Sequence, residues 1–134
     1  MFDWINSESA LTTWFSAQSV SSVIGLDTEF MRTDTFYARL ALIQAEIGGR
    51  TAIIDAPALN GHAALAAHLA DTHNVCVMHS ASEDLEALSA IIPSGPATLF
   101  DTQIAAAMAG LGSGLSYQKL VAALLGVDLP KGET

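Results

Sequence analysis

Leu26-Asp27-Thr28-Glu29-Phe30 places two carboxylates two residues apart among apolar neighbours. In an extended strand alternate side chains share a face, so Asp27 and Glu29 project together. Carboxylates that close repel each other unless a proton or a cation lies between them. Hard oxygen donors of this kind suit Mg²⁺ or Mn²⁺. On spacing alone two readings stand: a divalent-metal site, or a solvated strand end followed by a turn.

A second polar constellation is His79-Ser80-Ala81-Ser82-Glu83-Asp84-Leu85-Glu86. It follows the apolar run Val75-Cys76-Val77-Met78 and reads as a helix start. Ser80 to Glu83 fits a capping box, opening a helix over Asp84–Ile91. Asp84 then lies in the first turn, where the helix dipole favours an acid. If that turn sits above the sheet edge that carries Asp27, Asp84 completes a cluster of three carboxylates. Otherwise it is a dipole-complementing surface acid. His79 either holds the turn or approaches a phosphate.

These residues need a scaffold, and the sequence supplies one. Ser7 or Ser9 caps a helix that runs to about Gln18, with Leu11, Trp14 and Phe15 on one face. Ser19 to Ser22 is a linker. Val23–Asp27 reads as a central strand buried on both sides. Residues 30–37 form a polar connection containing Arg32, Thr33, Asp34 and Thr35. Ala38–Ile47 is a strand with Leu40, Leu42 and Gln44 on one side. Gly48-Gly49 is a hairpin turn, and Thr51–Asp55 is the returning strand. The first half is therefore an antiparallel meander of three strands.

The second half alternates. His62–Leu69 reads as a helix, Asn74–His79 as a strand and Thr98–Phe100 as another. Asp101 caps a helix that ends near Met108, and Gly110, Gly112 and Gly114 break it. A last helix spans Ser116–Leu125, with Leu120, Val121, Leu124 and Leu125 inward and Gly126 just past its end. Strands alternating with helices add parallel pairings to the meander. The expected fold is α/β, a mixed sheet covered by helices.

Composition narrows the function classes. With 134 residues, 51% of them apolar, one domain with its own core is expected. A lone cysteine, Cys76, excludes a disulfide scaffold and reads as a small buried hydrophobe. Fourteen acids against five bases give a net charge of -9, a poor balance for a surface that grips nucleic acid broadly. A small site that binds through cations escapes that objection, because a bound metal inverts the local charge. No apolar run is long enough to cross a membrane, and Met1-Phe2-Asp3-Trp4 lacks the basic start of a secretion signal. The expected location is the cytoplasm.

Ile24-Gly25-Leu26-Asp27-Thr28-Glu29-Phe30-Met31-Arg32, followed by Arg39-Leu40-Ala41-Leu42-Ile43-Gln44, resembles the first exonuclease motif of the ribonuclease D family. Met78-His79-Ser80-Ala81-Ser82-Glu83-Asp84-Leu85-Glu86-Ala87-Leu88 resembles the second. Leu99 to Ala105 is similar to the family's next strand and helix, and Gly114 to Lys131 to the lead-in of its third motif. The resemblance runs from Val23 to the end of the chain. It implies a ribonuclease H-like fold and the chemistry of the four-carboxylate 3′-5′ exonucleases, which trim single-stranded RNA ends such as those of tRNA precursors.

By that resemblance two divalent cations, Mg²⁺ or Mn²⁺, are the cofactors, roughly 3.5 to 4 Å apart. Asp27 would bridge them, Glu29 would hold the one that activates water, and Asp84 would serve the other. Thr28, Phe30, Gln44 and His79 are the candidate substrate contacts. The family's fourth carboxylate and its preceding tyrosine have no counterpart within these residues; Tyr117, Asp128 and Glu133 lack the surroundings. The expectation is one incomplete exonuclease domain over 1–134, divided into a helix and linker at 1–21 and the two motifs at 22–134, with impaired turnover. Two alternatives remain: a binding or assembly module of the same fold, and a DNA-directed proofreading exonuclease. Apolar surface left uncovered would favour a homodimer.

Overall fold

The computed structural model describes residues 1–18, 22–31 and 39–130. Residues 19–21 of the expected linker, 32–38 of the polar connection and 131–134 lie outside them. Twelve elements form around one six-stranded sheet. In chain order they are β1 (Asp3–Ile5), α1 (Glu8–Ser16), β2 (Val23–Met31), β3 (Arg39–Ile47), β4 (Arg50–Asp55), a 3₁₀ turn (Ala56–Ala58), α2 (Ala63–Ala70), β5 (Val75–Met78), α3 (Ser82–Leu88), β6 (Leu99–Asp101), α4 (Thr102–Met108) and α5 (Tyr117–Leu125). The strand order is β1-β4-β3-β2-β5-β6. The meander β2-β3-β4 is antiparallel, while β1, β5 and β6 add in parallel. This is the mixed sheet that the alternation of elements implied.

Side-chain parity decides which face folds and which stays open. Ile24, Leu26 and Thr28 of β2 are buried, as are Ile43, Ala45 and Ile47 of β3. Ala52 and Ile54 on β4, Cys76 and Met78 on β5, and Ile5 on β1 continue that face through the register. Leu11 and Trp14 of α1, Leu65 and Leu69 of α2 and Leu88 of α3 complete one core. Ser7 caps α1 through its hydroxyl, which accepts the Ala10 N–H. Gly126 ends α5 at a φ of 66°, a conformation that suits glycine.

Five expectations need correction. The strand expected to stop at Asp27 runs on to Met31, and it is buried on one face only; Asp27 and Glu29 on the other face are exposed. Three residues of β1, with no alternating pattern to betray them, join the sheet edge beside β4. Helix α3 starts at Ser82 and ends at Leu88, earlier than expected. No side chain caps it from the Ser80–Glu83 sequence; Ala81 is the N-cap residue. On α5 Leu120 is buried, but Leu124 and Leu125 are 60% and 72% exposed, so only half of the apolar stripe faces inward.

Candidate active site

The open face of the sheet is the site's floor. On β2 the exposed residues alternate with the buried ones, so Asp27 and Glu29 stand side by side beyond the last β5 pairing at Gly25. Gln44 on β3 lies directly across from Asp27, and Leu42 across from Glu29. The register shifts between Glu29 and Phe30, and such a bulge bends the strand where the carboxylates end. Phe30, beyond the shift, is half-buried. A cleft of about 400 Å³ opens beside Asp27, walled by Gln44, Glu46, Val77, His79 and Tyr117.

Asp84 enters from the first turn of α3 and is buried. Its carboxylate accepts the Thr28 hydroxyl and the Thr28 backbone N–H. Thr28, the residue between Asp27 and Glu29, thus turns to the core side and to Asp84, away from the open face. Burial pushes the Asp84 carboxyl above its ordinary range, and the negative charge of Asp27 adds to the rise despite the Thr28 hydrogen bonds. Asp84 feels the charge of Asp27, but among the described residues no group of three acidic, histidine or cysteine side chains is arranged to hold a metal ion. The donor chemistry fits a hard cation: all three groups are carboxylates, and the buried one feels the charge of its neighbour.

His79 forms a clamp on the cleft wall. Its Nε2–H donates to the Leu115 carbonyl at 2.8 Å, which fixes the tautomer, and Nδ1 lies 2.8 Å from the Thr102 hydroxyl. Gln103 donates to the same carbonyl at 3.0 Å. Both ring nitrogens are engaged by the protein, so the imidazole ties the glycine-rich segment after α4 to the end of β5. The ring also meets Tyr117 edge-on, with centroids 5.6 Å apart. Sequence reasoning had not placed Tyr117 on the cleft, because no local pattern reveals a contact made across 38 residues of chain. Glu83 and Glu86 are exposed.

Comparison with known proteins agrees with this geometry. The profile of the 3′-5′ exonuclease family matches residues 2–134. Ribonuclease D of Xanthomonas oryzae is 49% identical over 132 residues, covering 98% of this chain and 36% of that protein. Ribonuclease D of a Shewanella species is 41% identical over 134 residues, covering all of this chain and 34% of that protein. The crystal structure of Escherichia coli RNase D superposes with a TM-score of 0.92 at 35% identity, over 97% of this chain and 35% of that one. Brucella melitensis NrnC, at 19% identity and a TM-score of 0.78, shares the fold. The chain spans about a third of the length of the curated relatives it matches. No helix among the described residues is long and apolar enough to cross a membrane. With an acidic pair on the central strand, a third acid opening the helix after β5 and a profile match over nearly every residue, the chain belongs to the 3′-5′ exonuclease family, as a domain of the ribonuclease D type.

Proposed function

We propose that this chain carries the first two acidic segments of a metal-dependent 3′-5′ exoribonuclease site, acting on single-stranded RNA ends such as those of tRNA precursors. What supports the reading is the acidic pair Asp27 and Glu29 on the exposed face of β2, with Asp84 held by Thr28 of the same strand. Two Mg²⁺ or Mn²⁺ ions, when bound, would supply charge neutralisation of the phosphodiester and a water acidic enough to ionise near neutral pH. Asp27 and Glu29 are the exposed ligands. Asp84 adds a third carboxylate whose orientation is fixed by Thr28. The Gln44 amide, across the ladder from Asp27, would contact a ribose or phosphate oxygen. Hydrolysis from the 3′ end would release nucleoside 5′-monophosphates.

Turnover by residues 1–134 alone is expected to be low, because among the described residues no group of three acidic, histidine or cysteine side chains is arranged to hold a metal ion, and catalysis depends on such positioning. Metal binding is therefore the first test. Calorimetric titration with Mn²⁺ should show weak binding to the wild type and none to an Asp27→Asn, Glu29→Gln double variant. Identical curves would overturn the site. Incubation of 3′-labelled RNA and its DNA counterpart with Mn²⁺ then separates the alternatives. RNA-selective release, lost in Asp84→Asn, supports the ribonuclease; DNA-selective release supports a proofreading domain. Metal binding without any release supports a non-catalytic module. Exposed Ile104, Met108, Leu124 and Leu125 on α4 and α5 support a two-fold contact between copies. Sedimentation equilibrium at micromolar concentration tests it, and a persistent monomer would remove it.

A further inference from the structure

The Asp101 carboxylate gathers backbone N–H groups from two separate helix starts. Oδ1 accepts from Gln103 at 2.9 Å and Ile104 at 3.4 Å, the first turn of α4. The same oxygen accepts from Ser80 at 3.0 Å, and Oδ2 accepts from Ala81 at 2.9 Å. Ser80 and Ala81 form the turn between β5 and α3, some twenty residues away in sequence. Ser80 has a φ of 55° and is the only non-glycine residue with a positive φ among the described residues. Such a conformation persists only when its surroundings hold it. No side chain of the turn caps α3. The element that directs the start of α3 is therefore the carboxylate on β6.

We infer that Asp101 is a positioning residue for Asp84. Asp84 is the third residue after Ala81, less than one helical turn away, so whatever fixes the Ser80 and Ala81 amides fixes where the Asp84 carboxylate meets Thr28. An aspartate suits the task because it has two acceptor oxygens: Oδ1 is shared between α4 and Ser80, and Oδ2 takes the Ala81 N–H. Asparagine has one acceptor oxygen and would set its amide N–H₂ against the Ala81 N–H. Serine can still cap α4 through its hydroxyl but has no second acceptor for the α3 turn. The inference rests on the metal reading for its functional meaning, whereas the placement of Asp84 is a property of the apo-protein.

The test uses Asp101→Ser in the 134-residue chain. Two readouts are followed: amide hydrogen exchange at Thr28 by NMR, without metal, and Mn²⁺ affinity. Thr28 should lose protection while Leu26 and Ile43 keep theirs, and Mn²⁺ affinity should fall roughly tenfold or more, the usual range for removing a residue that orients a ligand. Unchanged Thr28 exchange in a folded variant would overturn the inference. If Asp101→Ser fails to fold, Asp101→Asn, which keeps an acceptor for α4, carries the same two measurements. Asp27→Asn serves as the control for the metal reading. Should it bind Mn²⁺ as the wild type does, that reading falls, and the exchange experiment still decides the role of Asp101.

Discussion

Thr28 and Asp84 are hydrogen-bonded across the edge of β2, so the residue lying between two exposed carboxylates holds the third. Both partners are buried, at 5% and 8% exposure. The pair links the core to the site: one side belongs to the strand that displays Asp27 and Glu29, the other to the helix that follows β5. Structure and chemistry therefore meet at a threonine, not at a catalytic acid.

Removing the hydroxyl should show this. Thr28→Val keeps the shape and leaves one acceptor of a buried carboxylate without its hydroxyl donor. Urea denaturation should report a loss of about 1–3 kcal/mol, the usual cost of a buried group left unsatisfied. In an Asp84→Asn background the same change should cost measurably less, because the pair is coupled.

Asp101 should make stability pH-dependent in a defined direction. Burial alone would raise its carboxyl, but the N–H groups of Ala81, Ser80, Gln103 and Ile104 outweigh it and hold the group below the ordinary 3.8. The stabilisation is then present above that value and is lost as pH falls through the lower folded-state value. Asp101→Asn should cost about 1 kcal/mol at neutral pH, because the Ala81 N–H loses its acceptor. The gap between the two proteins should close in acid, as followed by thermal melts across the range.

Two histidines on the α2 side should act in a higher window. Burial lowers both His62 and His68, against the opposing charges of Glu8 and Asp71 respectively. Nδ1 of His62 and Nε2 of His68 are buried without hydrogen-bond partners, and the His68 ring packs on Phe15 with centroids 5.2 Å apart. The neutral forms stabilise the fold above the ordinary value of 6.5, and that contribution is lost as pH falls through the lowered values. His68→Leu should raise the melting temperature more at about pH 5.5 than at about pH 7.5.

Cys76 should be inert in the native protein. It is 2% exposed on β5, and burial pushes its thiol up to about 12. Since the thiolate is the reactive form, a disulfide reagent at mildly alkaline pH should react only as the chain unfolds. A fast native-state reaction would show that β5 opens locally.

Much of this architecture was legible from patterns with a short range. The Gly48-Gly49 turn, the Ser7 cap and the apolar runs of β2 and β5 each act through neighbours in sequence, and the structure keeps them. The acidic pair was legible for the same reason, since strand alternation puts Asp27 and Glu29 together without further help. What the sequence hid is long-range. Strand β1 exists because β4 offers it an edge, not because three residues form a pattern. Ser80 to Glu83 has the letters of a capping box, yet the turn before α3 is held by Asp101, whose oxygens, placed by a neighbouring strand, accept the Ser80 and Ala81 N–H groups. Leu124 and Leu125 have helical spacing, but both stay exposed.

The strict alternation along β2 has a consequence for how this protein can vary. Residues 24, 26 and 28 point into the core, while 27 and 29 carry the acids, so neighbouring codons answer to different demands. A point substitution touches one of those demands. A one-residue insertion or deletion ahead of Asp27 would exchange them at a stroke, turning the carboxylates inward and the leucine outward. Strand β2 should thus tolerate changes of residue far better than changes of length. Length variation in a library of variants should be absent from 23–29 and concentrate in the turns, such as Gly48-Gly49, where no parity has to be kept.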